Sequence, residues 1–346
     1  MVDKVYAMSS FLQFRKVMNP EIKFAEHLDY PLSKKLPDAN VQIDTPQSLY
    51  DYMEDFVKMQ TADGKAALML SGGIDSAVIA NFMPKGSTAY TLKCVVPGRI
   101  ILDEAPQAAV YCKKRQIEHK IIPIYFEDYE DLVPRLMARK NAPVHSIEIQ
   151  IYKAALKAKE DGFERLIFGN LADVVFGGFD GLLAKKYTLG EFIERFSYVI
   201  PYKVLNKFVL IKEPFERWCS DDGFIDSHGF LNDVFSLESF DSYCNACELA
   251  GIESVDAYVS LVHPGIDLAR IRAGEPKYIA REAFSMCYPS IAPPIKIPMF
   301  RAVDEWFEEW AGPRRKEFIP NCHVRMTGNQ KYYVWILEKF LNEFDV

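Results

Sequence analysis

One stretch, Leu68-Met69-Leu70-Ser71-Gly72-Gly73-Ile74-Asp75-Ser76, constrains the fold more than any other part of the chain. Ala66 to Leu70 is a short apolar run suited to a strand buried on both faces, and Ser76 to Phe82 has helical spacing. The stretch therefore reads as strand, tight turn and helix. Gly72 and Gly73 permit a sharp turn, through their tolerance of positive φ, and a close backbone approach to a ligand. Their amides, with the hydroxyls of Ser71 and Ser76, lie at a helix N-terminus, where the dipole favours an anion. Asp75 inside such a cradle makes chemical sense mainly when a divalent cation accompanies the phosphates. No Walker-type loop is present: Gly64-Lys65 is followed by Ala66 and precedes the strand. That argues against a kinase or GTPase.

Beyond this turn the chain alternates. A helix is expected from Thr45 (N-cap) and Pro46 through Leu49, Tyr52, Met53 and Phe56. Strands are expected at about 89–96, 120–125 and 165–168, with helices at about 103–116 and 146–159 between them. Such alternation predicts an α/β fold, a parallel twisted sheet with helices on both faces, its ligand crevice at the carboxyl ends of the strands where strand order reverses. The loops Ser71 to Ser76 and Gly169 to Gly178 should meet there. Residues 1–44, punctuated by Pro20, Pro31 and Pro37, read as an irregular lead-in, residues 45–180 as the α/β core, and residues 181–346 as a mostly helical part that completes the substrate site. A net charge of -7 and a pI near 5.5 argue against a protein built to grip nucleic acid. With no secretory or membrane-length segment read from the sequence, a cytoplasmic location is expected, and seven scattered cysteines read as reduced thiols.

The second loop, Gly169-Asn170-Leu171-Ala172-Asp173 to Phe179, supplies the acid that can face Asp75. Two carboxylates from adjacent loops, completed by phosphate oxygens and water, suit octahedral Mg²⁺. The Ser-Gly-Gly-x-Asp-Ser string resembles the pyrophosphate loop of the ATP pyrophosphatases, and the pair of loops resembles the synthetase domain of asparagine synthetase and its beta-lactam synthetase relatives, an adenine nucleotide alpha hydrolase-like fold. In that family a loop like Ser-Gly-Glu-Gly-Ser-Asp-Glu-x-Phe-Gly-Gly-Tyr lies where this chain has Phe168 to Phe179. The resemblance implies ATP and Mg²⁺ as cofactors, Asp75 and Asp173 as metal ligands, Met69, Cys94 and Gly169 around the base, and Ser71, Gly72, Gly73, Asp75 and Ser76 on the pyrophosphate. The segment Lys277-Tyr278-Ile279-Ala280-Arg281-Glu282-Ala283-Phe284, followed by Lys296, is similar to the family's Lys-x-x-x-Arg-Glu-x-Phe and its catalytic lysine.

The sequence departs from that family on the substrate side. The loop glutamate becomes Asn170, the Thr-Thr-x-Arg run corresponds to Pro143-Val144-His145-Ser146, and Glu-x-Arg-x-Pro becomes Glu253-Ser254-Val255-Asp256-Ala257. Asn170, His145 and Lys277 are the expected substrate contacts, for a substrate other than aspartate. The expected activity joins a small-molecule carboxylate to ammonia or another amine by way of an acyl-adenylate, with Lys296, Asp75 and Asp173 as catalytic residues. Val2 follows Met1, where a glutaminase domain needs a processed cysteine, so the nitrogen is expected from ammonia, another amine or a separate glutaminase. Cys244-Asn245-Ala246-Cys247 opens an alternative, an adenylating enzyme that transfers sulfur or nitrogen to a nucleotide or tRNA, although a helical pair of cysteines is more often packing. The altered loop opens another, a nucleotide-binding protein whose catalysis has lapsed.

Overall fold

The computed structural model describes residues 1–31, 35–294 and 300–346. Five parallel strands form the central sheet: β1 (Ala66–Met69), β2 (Thr88–Cys94), β3 (Glu118–Ile124), β4 (Arg165–Phe168) and β5 (Glu253–Asp256), in the order β3-β2-β1-β4-β5. The register aligns Leu68 with Ala89 on one side and with Ile167 on the other. Strand order therefore reverses between β1 and β4, and the crevice expected there opens between the loops that follow these two strands.

Alternation along β1 divides the core in two. Ala66, Leu68 and Leu70 face helices α2 (Pro46–Thr61), α3 (Ile74–Phe82) and α4 (Ala105–Arg115). Ala67 and Met69 face α1 (Lys4–Phe14), α5 (Phe126–Lys140), α6 (Ser146–Glu160) and the C-terminal helix Gly328–Glu343. Every residue of β1 is buried, as a strand covered on both faces requires. The α2 cap forms as expected: Thr45 accepts the Ser48 amide while the Ser48 hydroxyl accepts the Thr45 amide, and Pro46 occupies the first turn.

Two expectations are corrected. The stretch 1–44 contains α1, whose residues from Ala7 to Phe14 are all buried; packed on every side, it carries no amphipathic period to betray it. The sheet also reaches past residue 180, because β5 pairs with β4 from Arg165↔Glu253 to Phe168↔Asp256. No helix among the described residues is long and apolar enough to cross a membrane.

Candidate active site

The first turn is held by its own serines. Ser76 Oγ accepts the Ser71 amide at 3.0 Å and lies 2.9 Å from Ser71 Oγ, which in turn accepts the Gly73 amide at 3.1 Å. Neither Gly72 nor Gly73 has a positive φ. Space is the reason for glycine instead: a Cβ on Gly72 would stand 3.2 Å from Gln107 Cβ and 3.3 Å from Glu104 O. Glu104, on the rim, accepts the Gly72 amide; burial pushes its carboxyl up to about 7, partly offset by that bond.

The second loop closes directly on the first. Gly169 packs against the start of α3, 3.2 Å separating its would-be Cβ from the Ser76 amide nitrogen. Asp173 opens the short helix Ala172–Val175, and Gly178 folds back to donate its amide to Asp173 O at 2.7 Å. A Cβ on Gly178 would fall 1.8 Å from Asp173 Oδ1 and 2.6 Å from Lys277 Cδ, so only glycine allows this return. Behind the loop, the Asp256 carboxylate at the end of β5 accepts the amides of Leu171 at 3.3 Å and Tyr258 at 2.9 Å. Burial pushes Asp256 up to about 7, against the pull of those two amides.

Asp75 and Asp173 meet at one cation. Lys277, at the N-cap of α8 (Tyr278–Cys287; the helix Ser236–Leu249 is α7), pairs with Asp75 and lies 3.1 Å from Asp173 Oδ1. Its side chain is 6% exposed, against 19% and 25% for the side chains of Asp75 and Asp173. Burial works to lower the Lys277 pKa, but the charges of Asp173 and Asp75 outweigh it and hold the lysine protonated. Lys277 lies 202 positions from Asp75 in the chain, so the sheet and α8 bring this contact together from distant segments.

These residues line a single cleft of about 230 Å³ with Met69, Thr91, Leu92, Phe168, Gly169, Asn170, Tyr243, Arg281 and Phe300. Of the residues expected around a base, Met69 and Gly169 are on its wall. Cys94 is covered instead by the segment it contacts, with Sγ 3.7 Å from Phe300 O and 3.6 Å from Gln150 Nε2, and Leu92 takes the wall position. Asn170 lines the cleft and accepts the Ser239 hydroxyl at 3.0 Å. His145 does not: it lies buried beside Arg15 and Arg301. Lys296 is outside the described residues. Sequence reasoning missed Glu104, Tyr243, Asp256 and Arg281 as site residues. Only Arg281 left a signal, its four-residue spacing from Lys277 on one helix face.

Hard carboxylate oxygens are the right donors for Mg²⁺, and one cation already bridges them in Lys277. Among the described residues no group of three or more His, Cys, Asp or Glu forms a metal cage. The pair therefore fits a metal that arrives with further oxygen ligands of its own, as Mg²⁺ on a polyphosphate does.

A parallel sheet whose switch-point crevice receives a glycine-rich helix N-terminus from one strand and an acidic loop from its neighbour defines an α/β ligand-binding protein of the doubly wound kind. Comparison with protein families narrows this: the asparagine synthase model matches residues 48–223, just over half of the chain. The chain belongs to the asparagine synthase family, a family of ATP-using, amide-forming synthetases. Among solved structures it is similar to an NH3-dependent NAD synthetase from Campylobacter jejuni subsp. jejuni NCTC 11168 in complex with the nitrate ion, at 18% identity and a TM-score of 0.25. That likeness covers 38% of this chain and 60% of the NAD synthetase. It is also similar to the NMN synthetase from Francisella tularensis, at 15% identity, a TM-score of 0.29, and coverage of 75% of this chain and 100% of that one. No curated protein matches the chain.

Proposed function

We propose that the chain is an AMP- and pyrophosphate-forming synthetase that adenylates a substrate carboxylate and passes the acyl group to ammonia or another amine. One observation carries the reading: the Ser71 to Ser76 turn and the Asp173 loop share one cleft, with Asp75 and Asp173 joined through Lys277. In the first step a carboxylate oxygen of the substrate attacks the α-phosphorus of ATP in line, and pyrophosphate leaves with the bonding electron pair. In the second, the amine lone pair attacks the acyl carbon, AMP departs, and the nitrogen loses a proton.

The protein's part is positioning and charge. The amides at the head of α3 face the leaving pyrophosphate, and Lys277 and Arg281, one helical turn apart, bring two cations to the same end of the cleft. Asp75 and Asp173 would hold Mg²⁺, which when bound offsets negative charge on the phosphates. Lys296 keeps the role its resemblance implies, a cation over the charge that develops at the reacting phosphorus. Met69, Leu92 and Gly169 form the wall for the base, and Asn170 faces the substrate side. The buried Cys244 and Cys247 are poorly placed to carry sulfur, which weighs against the transfer alternative.

Mass spectrometry of products after incubation with ATP, Mg²⁺ and pools of carboxylates and amines tests the reading. AMP, pyrophosphate and an amide are expected in equal amounts. Production of ADP and phosphate, or no ATP consumption with any pool, would refute it.

A further inference from the structure

Strand β5 ends in Asp256-Ala257-Tyr258, a segment that touches both loops of the cleft without being part of its wall. Toward the second loop, Asp256 Oδ2 accepts the Leu171 amide at 3.3 Å while Oδ1 accepts the Tyr258 amide at 2.9 Å. The Ala257 amide donates to Phe168 O at 2.9 Å, and the Tyr258 ring stands edge-on to Phe176, their centroids 6.2 Å apart. Toward the first loop, the Tyr258 hydroxyl donates to Asp75 O at 3.0 Å. The side chain is fully buried; burial, helped by the charge of Asp75, keeps the phenol protonated and therefore a donor.

The place of that bond gives it a consequence for the site. Asp75 O and the Ser76 amide belong to one planar peptide and point in opposite directions, so fixing the carbonyl fixes the amide. A helical carbonyl gives one lone pair to the amide four residues on, and Tyr258 takes the other. The Ser76 amide lies in the first turn of α3, among the donors that have no carbonyl to serve within the helix and that an anion meets. Gly169 packs against the same peptide, its would-be Cβ 3.3 Å from Asp75 C. Other buried hydroxyls hold this region too: Thr91 donates to Leu70 O at 2.6 Å, Tyr111 to Gly72 O at 3.3 Å and Tyr288 to Ala77 O at 2.9 Å. Those three anchor the first loop and α3. Tyr258 alone among them also belongs to the segment that holds Leu171, two residues before Asp173.

We infer that Tyr258 is a positioning residue: with Asp256 it forms a strut that sets the spacing of the two loops, so that the first-turn amides of α3 and the carboxylates of Asp75 and Asp173 address one pyrophosphate. What the loops hold rests on the synthetase reading; the strut itself does not.

The test uses the full chain at pH 8 as wild type, Tyr258→Phe and Tyr288→Phe, the last removing an equally buried hydroxyl from a carbonyl of the same helix. Calorimetry measures the binding of magnesium pyrophosphate and of AMP, fluorimetry the Tm, and a coupled assay the release of pyrophosphate from ATP with the carboxylate and amine pools. Tyr258→Phe should lose about tenfold in affinity for magnesium pyrophosphate and at least about tenfold in release, with AMP affinity unchanged. Tyr288→Phe should match it in Tm and stay within about twofold of wild type in both pyrophosphate readouts, because a hydroxyl that only stabilises the fold moves neither. Asp256→Asn, whose amide can accept from only one of the two backbone amides, should repeat the loss of pyrophosphate affinity and decides the matter should Tyr258→Phe not fold. Unchanged pyrophosphate affinity in Tyr258→Phe, an equal loss in Tyr288→Phe, or an equal loss for AMP would overturn the inference. Tyr258-dependent binding of magnesium pyrophosphate without release from ATP would sink the synthetase reading and leave the strut standing. Release indifferent to Tyr258 would do the reverse, and no binding of magnesium pyrophosphate to wild type would overturn both.

Discussion

Replacing Lys277 by methionine keeps the bulk of the side chain and removes a buried positive charge that stands between Asp75 and Asp173. The lysine is almost fully buried, whereas the carboxylates are a fifth to a quarter exposed, so solvent screens part of the loss. Removing one partner from a buried ion pair costs about 3–5 kcal/mol; discounted for that exposure, about 2–4 kcal/mol is expected here. In a chain of this size that lowers Tm by roughly 3–5 °C. With the Lys277 charge gone the pair carries more net negative charge and makes a better divalent site than the native one, so millimolar Mg²⁺ should restore much of the loss in Lys277→Met and barely move the wild type. Differential scanning fluorimetry with and without Mg²⁺, without nucleotide, reads both effects. A Lys277→Met variant as stable as wild type, or one indifferent to Mg²⁺, would refute the view that this lysine holds the place of a metal.

Further outcomes follow from the same geometry. Gly178→Ala should push Asp173 off its position and lower pyrophosphate release at least about tenfold while shifting Tm by only a few degrees; unimpaired release would show that Asp173 need not sit where it does. Asp256 should make stability depend on pH. Burial raises its folded pKa above the unfolded value of 3.8 to about 7, so the stability tied to its neutral form is fully present below pH 4 and lost as pH rises through about 7. The amount is at most about 4 kcal/mol, and Asp256→Asn should flatten the fall in Tm between pH 5 and 7.5; an unchanged slope would contradict this. Replacing Cys244 and Cys247 together by alanine should lower stability through lost packing yet leave pyrophosphate release intact, and loss of product with the fold preserved would favour a carrier role.

What the sequence revealed and what it hid have physical causes. The strand at Arg165–Phe168, the capped helix at Pro46 and the turn at Ser71 to Ser76 are legible because local pattern and tertiary role agree. The strand Glu253–Asp256 is not: it has one apolar residue in four and becomes a strand only by lying along the edge beside β4. Helix Lys4–Phe14 escapes notice because it is buried all round. The two acids of the site were readable from their loops. The lysine between them, and the arginines around His145, are gathered from segments far apart in the chain, and no local pattern records that.

Pyrophosphate release under saturating Mg²⁺-ATP by Asp75→Asn and Asp173→Asn, set against their melting temperatures, tests the central claim most directly. Each substitution leaves buried Lys277 with one carboxylate instead of two, so a modest loss of Tm is expected, short of unfolding at assay temperature. Release should nevertheless fall by at least about a thousandfold in both, since several kcal/mol of charge stabilisation at the transition state depends on the pair. Near wild-type release by either folded variant would contradict the account.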